Sequence, residues 1–235
     1  MTAILEASGL RAGYVTGEVL RDVSVAVEPG EIVGVLGRNG VGKSTLIKTV
    51  IGLLPAHSGR ILFKGEDVTR EPADRRAQRG MGYVPQGRQI FPKMSVLDNL
   101  RMGQFVNAAH GRFALDEVYG WFPFLRERAR QRGGTLSGGQ QEMLAIARAL
   151  INGPDLLLLD EPSDGVQPSI IQEIGTFILG LVENKAIGVL LVEQNIDLVQ
   201  TVAGRAYVME KGQVVAELDR EKLADTDYVA RFLAV

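Results

Sequence analysis

The hydrophobic positions of this chain fall into two rhythms that alternate along its length. Short apolar runs appear at Ile32, Val33, Val35 and Leu36, at residues 82–85, at Leu156–Asp160 and at residues 189–193. Continuous runs of this length, rich in Val, Ile and Leu, predict strands buried on both faces. Between them the spacing becomes helical, as at Leu46, Ile47, Val50, Ile51 and Leu54, at Met143, Ile146, Ala147 and Leu150, and across residues 170–182. Residues 1–30 differ: Leu10, Tyr14, Leu20, Val23, Val25 and Val27 follow an alternating pattern broken by glycine, which predicts antiparallel strands. Pro29-Gly30 reads as a turn, and residues 58–65 as one more short strand between turns. From about 87 to 150 the signals are helical, with Ser95 capping a helix over 96–102 and a second helical run over 115–130. A hairpin follows at 207–209 and 214–218, around Lys211-Gly212. Strands alternating with helices around parallel apolar strands predict a doubly wound α/β core with a mostly parallel sheet.

Composition narrows the class. The 235 residues suit the upper end of one domain, and 46% hydrophobic with only 6% aromatic content describes an aliphatic-rich soluble α/β protein. The longest apolar stretches fall far short of the ~20 residues that cross a bilayer. Glu6 interrupts the opening apolar segment, so no secretory leader is expected. The absence of cysteine excludes disulfides and thiolate metal sites and suits a reducing cytoplasm. A net charge of −2 argues against a nucleic-acid partner, and membrane attachment is expected only through another protein.

Two glycine-rich segments carry the chemistry. Gly37-Arg38-Asn39-Gly40-Val41-Gly42-Lys43-Ser44, followed by Thr45, matches G-x-x-x-x-G-K-[ST] between an apolar strand and a helix, the context a phosphate-binding loop requires. Its glycines allow backbone N–H groups to curl into an anion nest at a helix N-terminus. Lys43 would reach the β- and γ-phosphates, and the Ser44 hydroxyl would ligate Mg²⁺. The second segment is Leu136-Ser137-Gly138-Gly139-Gln140, where Ser137 and Gln140 form an S-x-x-Q capping box for an amphipathic helix. Two anion sockets for one triphosphate suggest that a second chain supplies one of them.

With these residues in place, the chain resembles the ATP-binding cassette (ABC) ATPases. Leu136–Gln140 resembles their signature motif, Gly13-Tyr14 their adenine-stacking aromatic, Tyr83-Val84-Pro85-Gln86 their glutamine loop, and Leu156–Pro162 their second nucleotide motif. The motifs stand in the family's order and span nearly the whole chain. The resemblance implies a phosphate-loop core over 1–86 and 151–235, with an antiparallel β-subdomain, and a helical subdomain over 87–150. It implies ATP and Mg²⁺ as ligands, with Asp160 holding the metal through water, Gln86 touching it, and Glu161 polarising the attacking water. An Asp-Glu pair alone reads as a solvated strand end. Four leucines before it and a phosphate loop upstream turn the reading to function. His57 and His110 lack metal-ligand spacing and read as solvated loop residues.

Two positions depart from the family pattern. Gln167 occupies the slot of a dimer-contacting Asp, and Gln194 the slot of a switch histidine. Glutamine still donates a hydrogen bond to a γ-phosphate oxygen, but does not titrate. The Glu-Gln-Asn switch resembles cassettes of importers for branched-chain amino acids and for urea or short amides, with 84–92 and 165–171 closest to the urea type. Five of eight phenylalanines and the single tryptophan lie between Phe91 and Phe124. Most are expected in a subdomain core, with Phe91 and some neighbours lining a groove for a short helix of a membrane subunit. The resemblance implies the energising subunit of an importer, on the cytoplasmic face of the inner membrane. It would work as a head-to-tail homodimer or a heterodimer with a related ATPase, with integral permeases and, through them, an external solute-binding protein. The alternative is a soluble ABC ATPase in cofactor assembly or another non-transport process. A non-catalytic cassette is disfavoured by Lys43, Ser137, Asp160 and Glu161.

Overall fold

A computed structural model describes residues 3–106 and 113–233. His110 lies outside them, whereas His57 is exposed as expected. The chain opens with β1 (Leu5–Tyr14), β2 (Gly17–Val27), β3 (Ile32–Leu36), α1 (Lys43–Ile51), β4 (Ser58–Phe63), β5 (Glu66–Asp67), α2 (Ala73–Gln78) and β6 (Met81–Val84). The helices α3 (Val96–Gln104), α4 (Leu115–Trp121), α5 (Pro123–Glu127) and α6 (Gly138–Leu150) follow. The remainder is β7 (Leu156–Asp160), α7 (Pro168–Lys185), β8 (Gly188–Glu193), α8 (Ile196–Val202), β9 (Arg205–Glu210), β10 (Gln213–Leu218), α9 (Arg220–Ala224) and α10 (Thr226–Leu233).

Six strands form the central sheet in the order β10-β9-β3-β8-β7-β6, parallel from β9 to β6, with β10 antiparallel at the edge. A second, antiparallel sheet runs β2-β1-β4-β5. The leucine run of β7 now has its reason. Leu157 and Leu159 join one hydrophobic cluster, with the helical segment and α7, while Leu156 and Leu158 join another, with α1 and the antiparallel sheet. Val189 and Leu191 of β8 likewise face the first cluster, and Leu190 and Val192 the second. Successive side chains point to opposite faces of a strand, so a strand covered on both sides must be apolar throughout.

Arg76 of α2 is buried and anchors the far end of α1. Its guanidinium donates to the carbonyls of Thr49 (2.9 Å) and Val50 (2.6 Å), and to those of Glu71 and Thr69. Helix C-termini leave carbonyls without intrahelical partners, and here one side chain satisfies two of them.

The helical segment differs from expectation in one respect. Residues 115–130 form two short helices, not one run, with Phe122 between them at φ −130°, ψ 75°. Pro123 disfavours the helical conformation in the residue before it, and it starts α5 because the first helical position needs no N–H partner. Ser95 caps α3 as expected, accepting the Asp98 N–H at 3.1 Å. Trp121 and Phe122 pack on Phe177 of α7, with Phe113 set edge-on to Trp121. These aromatics therefore build the contact between this helical segment and α7.

Candidate functional site

The carboxyl ends of β3, β7 and β8 converge on one edge, because the parallel register sets Leu36 opposite Glu193 and Asp160 opposite Val192. Open α/β sheets bind ligands at such an edge. The chain leaves β3 through the glycine loop and enters α1 with Gly42 as N-cap at φ 112°, a conformation that side chains other than glycine's rarely adopt. No side chain caps α1, which leaves its first N–H groups without a side-chain partner, an arrangement that suits an anion. Asn39, Gly40, Gly42, Lys43, Ser44 and Thr45 line a cavity of about 340 Å³, closed by Gln86, Glu161 and, unforeseen, Val19 from β2. Gly37, Arg38 and Asn39 line an adjoining cavity of about 370 Å³ with Gln194.

Polar contacts tie these groups into two pairs. Ser44 Oγ donates to Asp160 Oδ1 at 2.9 Å. Lys43 Nζ donates to the carbonyls of Gly37 (2.8 Å) and Arg38 (3.0 Å) and pairs with Glu161 Oε1 at 2.9 Å. Gln86 donates to the other Glu161 oxygen at 3.0 Å and to Asp164 at 3.2 Å. Glu161 itself sits at φ 51°, a left-handed conformation uncommon outside glycine. Burial pushes the Asp160 carboxyl above its ordinary range, the Ser44 hydrogen bond pulls it back, and Glu161 pushes it up again. Tyr83, from the motif that ends in Gln86, lies near Asp160, and burial followed by that carboxylate's charge raises its phenol.

Two sets of sequence-identified residues lie elsewhere. Tyr14 ends β1 with 46% of its surface exposed and lines neither cavity. Ser137, Gly138, Gly139 and Gln140 open α6 with the expected reciprocal capping box: Ser137 Oγ accepts from Gln140 N, and Gln140 Oε1 from Ser137 N at 3.1 Å. None of the four lines the phosphate cavities.

The family model for ABC transporters matches residues 20–164, more than half of the chain. The chain belongs to the ABC transporter ATP-binding cassettes. That family hydrolyses ATP. The cassette is 46% identical over 199 residues to the high-affinity branched-chain amino acid transport ATP-binding protein BraG of Pseudomonas aeruginosa, covering 84% of this chain and 85% of that protein. It is 35% identical over 206 residues to the probable branched-chain amino acid transport ATP-binding protein LivF of Archaeoglobus fulgidus, 87% of each. It is also 35% identical over 233 residues to the lipopolysaccharide export system ATP-binding protein LptB of Escherichia coli K12, 97% of this chain and 96% of that protein. Among solved structures, a nucleotide-free cassette of an ABC transporter superposes with a TM-score of 0.85 at 28% identity, covering both chains completely. A cassette in its ADP conformation gives 0.84 at the same identity and coverage.

Outside the two cavities the cassette buries a titratable group that no spacing in the sequence announces. Glu142, one turn into α6, is buried beside Arg88, whose Nε lies 3.8 Å from its carboxylate and whose guanidinium also donates to the Gly165 carbonyl at 3.2 Å. Burial pushes the Glu142 carboxyl from 4.5 up to about 8, opposed by Arg88 and reinforced by Glu193 and Asp164. The folded cassette therefore holds this proton between pH 4.5 and about 8, where the unfolded chain has released it. The group's favourable contribution is complete below pH 4.5 and is lost as pH rises through about 8. Glu142→Gln keeps the neutral shape at every pH. Its melting temperature should gain on that of the wild type by roughly 5 °C between pH 6 and pH 9, read by thermal unfolding. A constant difference across that range would refute the assignment.

Proposed function

We propose that this cassette is the ATP-hydrolysing subunit that energises an importer for branched-chain amino acids or for urea and short amides. The ATPase part of the reading rests on the pair of contacts at the phosphate loop, Ser44 with Asp160 and Lys43 with Glu161, completed by Gln86, and the importer part on the 46% identity to BraG. Lys43 and the loop N–H groups bind the phosphates of ATP, and Glu161 orients the attacking water. Gln194, beside Gly37–Asn39, donates to the terminal phosphate without titrating. Hydrolysis of a phosphoanhydride asks for positioning and charge stabilisation of this kind more than for covalent chemistry.

Mg²⁺ fits the oxygen donors. Among the described residues no group of three or more His, Asp or Glu side chains is placed to hold a metal alone. Mg²⁺, however, is commonly held by one or two carboxylates, waters and substrate phosphates. Ser44, Asp160 and Gln86 would hold it, and bound there it neutralises charge on the phosphates.

The second socket, Ser137–Gln140, stands apart from the phosphate cavities, which supports a head-to-tail dimer, with itself or with a related subunit, in which each signature completes the other chain's site. Residues 1–86 and 151–235 form the nucleotide-binding core in this reading, and 87–150 the helical subdomain. Between them lies a groove of about 750 Å³, lined in part by Leu53, Met81, Phe91, Met102, Phe105 and Arg148. Leu53, Phe91, Met102 and Phe105 are exposed. Apolar anchors along a groove suit a short amphipathic helix, here supplied by a permease at the cytoplasmic face of the membrane. Among the described residues no helix is long and apolar enough to cross a membrane, so the permease supplies the path. Tyr14 stacks on adenine at the exposed hairpin end.

Likeness to LptB over 97% of the chain favours lipopolysaccharide export as a second reading. Reconstitution with the membrane proteins that co-purify with it, together with a solute-binding protein, separates the readings. ATP turnover in proteoliposomes should rise with binding protein loaded with leucine or with urea. A response to neither, with capture of lipopolysaccharide-extracting membrane subunits, would establish export. Failure to co-purify with any membrane protein would sink both.

A further inference from the structure

Glu193, the last residue of β8, is completely buried. Its two oxygens accept three backbone N–H groups. Oε1 takes Ser163 at 2.9 Å, and Oε2 takes Gln194 at 3.1 Å and Asn195 at 3.2 Å. Ser163 belongs to the loop that leaves Glu161 and leads to α7, whereas Gln194 and Asn195 leave β8. One carboxylate thus fastens together the segments that follow two neighbouring strands. Two further bonds tighten the same joint: Glu161 N donates to the Val192 carbonyl at 2.9 Å, and Asn195 caps α8 by accepting Leu198 N at 3.2 Å.

A buried carboxylate at the end of an apolar strand is costly, and an aliphatic residue would pack there without that penalty. Burial raises the Glu193 carboxyl, and the hydrogen bonds from Ser163 and Asn195 pull it back. Both oxygens face donors, and a neutral amide matches fewer of the three. Removing the carboxylate would leave N–H groups of both loops without partners. What the group supplies is placement. Gln194 borders the phosphate cavity, and the loop from Ser163 continues to Asp164, which accepts from Gln86.

We propose that Glu193 is a positioning residue for ATP hydrolysis, holding Gln194 and the Ser163 loop as one body so that the phosphate contact and the neighbourhood of Glu161 are set together. This rests on the reading of Gln194 as the contact to the terminal phosphate. Glu193→Gln keeps the size but turns an NH₂ toward backbone donors. Glu193→Asp keeps the charge but is one methylene too short to span both loops.

The test is steady-state ATPase of the intact chain, with folding of each variant checked by circular dichroism. Glu193→Gln should lower kcat roughly 10–100-fold, the scale of a lost hydrogen bond to a charged group. KM for ATP should stay within about twofold, because the loop that binds the phosphates is untouched. Glu193→Asp should fall in the same direction, and it decides the matter if the Gln variant does not fold. Combined with Gln194→Ala, the Glu193→Gln change should cost clearly less than it does alone, because part of its effect acts through Gln194. Wild-type turnover of a folded Glu193 variant overturns the proposal, as does a loss that multiplies with that of Gln194→Ala. A Gln194→Ala cassette as fast as wild type sinks the switch reading and this inference with it. A slow Gln194→Ala beside a fast Glu193→Gln sinks only the inference.

Discussion

Glu161→Gln should stop hydrolysis while leaving ATP bound, with kcat falling roughly 10²–10⁴-fold, the range attributed to a positioned general base. The glutamine keeps an oxygen that can face Gln86 or Lys43, and Lys43 retains the carbonyls of Gly37 and Arg38. The loop that receives the phosphates therefore survives the change. ATP should bind more tightly, because the substitution removes a negative charge beside Asp160, where a polyanion must enter. With turnover blocked, the ATP-bound dimer should accumulate. Size-exclusion chromatography with Mg-ATP should show a shift to the dimer for this variant and a smaller one for the wild type. Undiminished turnover with a monomer at every ATP concentration would remove Glu161 from its role.

Ser137→Arg should abolish hydrolysis by another route. Ser137 is exposed at the start of α6, so an arginine finds room without disturbing the core. Losing the cap costs about 1 kcal/mol, which a helix with most of its residues buried tolerates. ATP binding to the separate chain should be unchanged, because Ser137 lines neither phosphate cavity. The long side chain instead obstructs the approach of a second cassette's terminal phosphate. Mixing Ser137→Arg with Lys43→Ala should restore partial turnover, since one phosphate loop and one signature remain intact across a mixed dimer. Normal hydrolysis by Ser137→Arg alone would show that the signature does not act between chains.

How much of this was legible in the sequence depended on whether a residue's task is local. Gly42 was legible because its positive φ demands glycine at a fixed offset from Lys43 and Ser44. The capping box was legible because Ser137 and Gln140 lie three residues apart and need only each other. Leu156–Asp160 was legible because a strand covered on both faces has no polar position until it reaches the edge. The break at Phe122 was also written there, in Pro123, and the longer helical pattern concealed it. Arg88 with Glu142, and Glu193 with Ser163, are joined only by folding, and no spacing along the chain marks them. Val19 reaches the phosphate cavity from an unrelated strand, and Arg76 resembled any surface arginine until its carbonyl partners were in view.

Helix α6 spans 13 residues, about 20 Å end to end, and its two ends stand in different neighbourhoods. Ser137 is at one end. At the other, Arg148 lies over the Phe91 ring at 5.1 Å and donates to the Gln89 carbonyl at 2.9 Å, inside the exposed groove. The helix has no proline, and its glycines are confined to the first two positions, so the usual causes of a kink are missing from its length. Such a helix is suited to act as a stiff crossbar. A partner docked in the groove as proposed would then move Ser137 by tilt or translation, and traction at Ser137 would reshape the groove by the same leverage. In the proposed assembly, communication between a docked helix and a nucleotide held by a neighbouring cassette would require only rigid mechanics, with no relay of small side-chain rearrangements through the core.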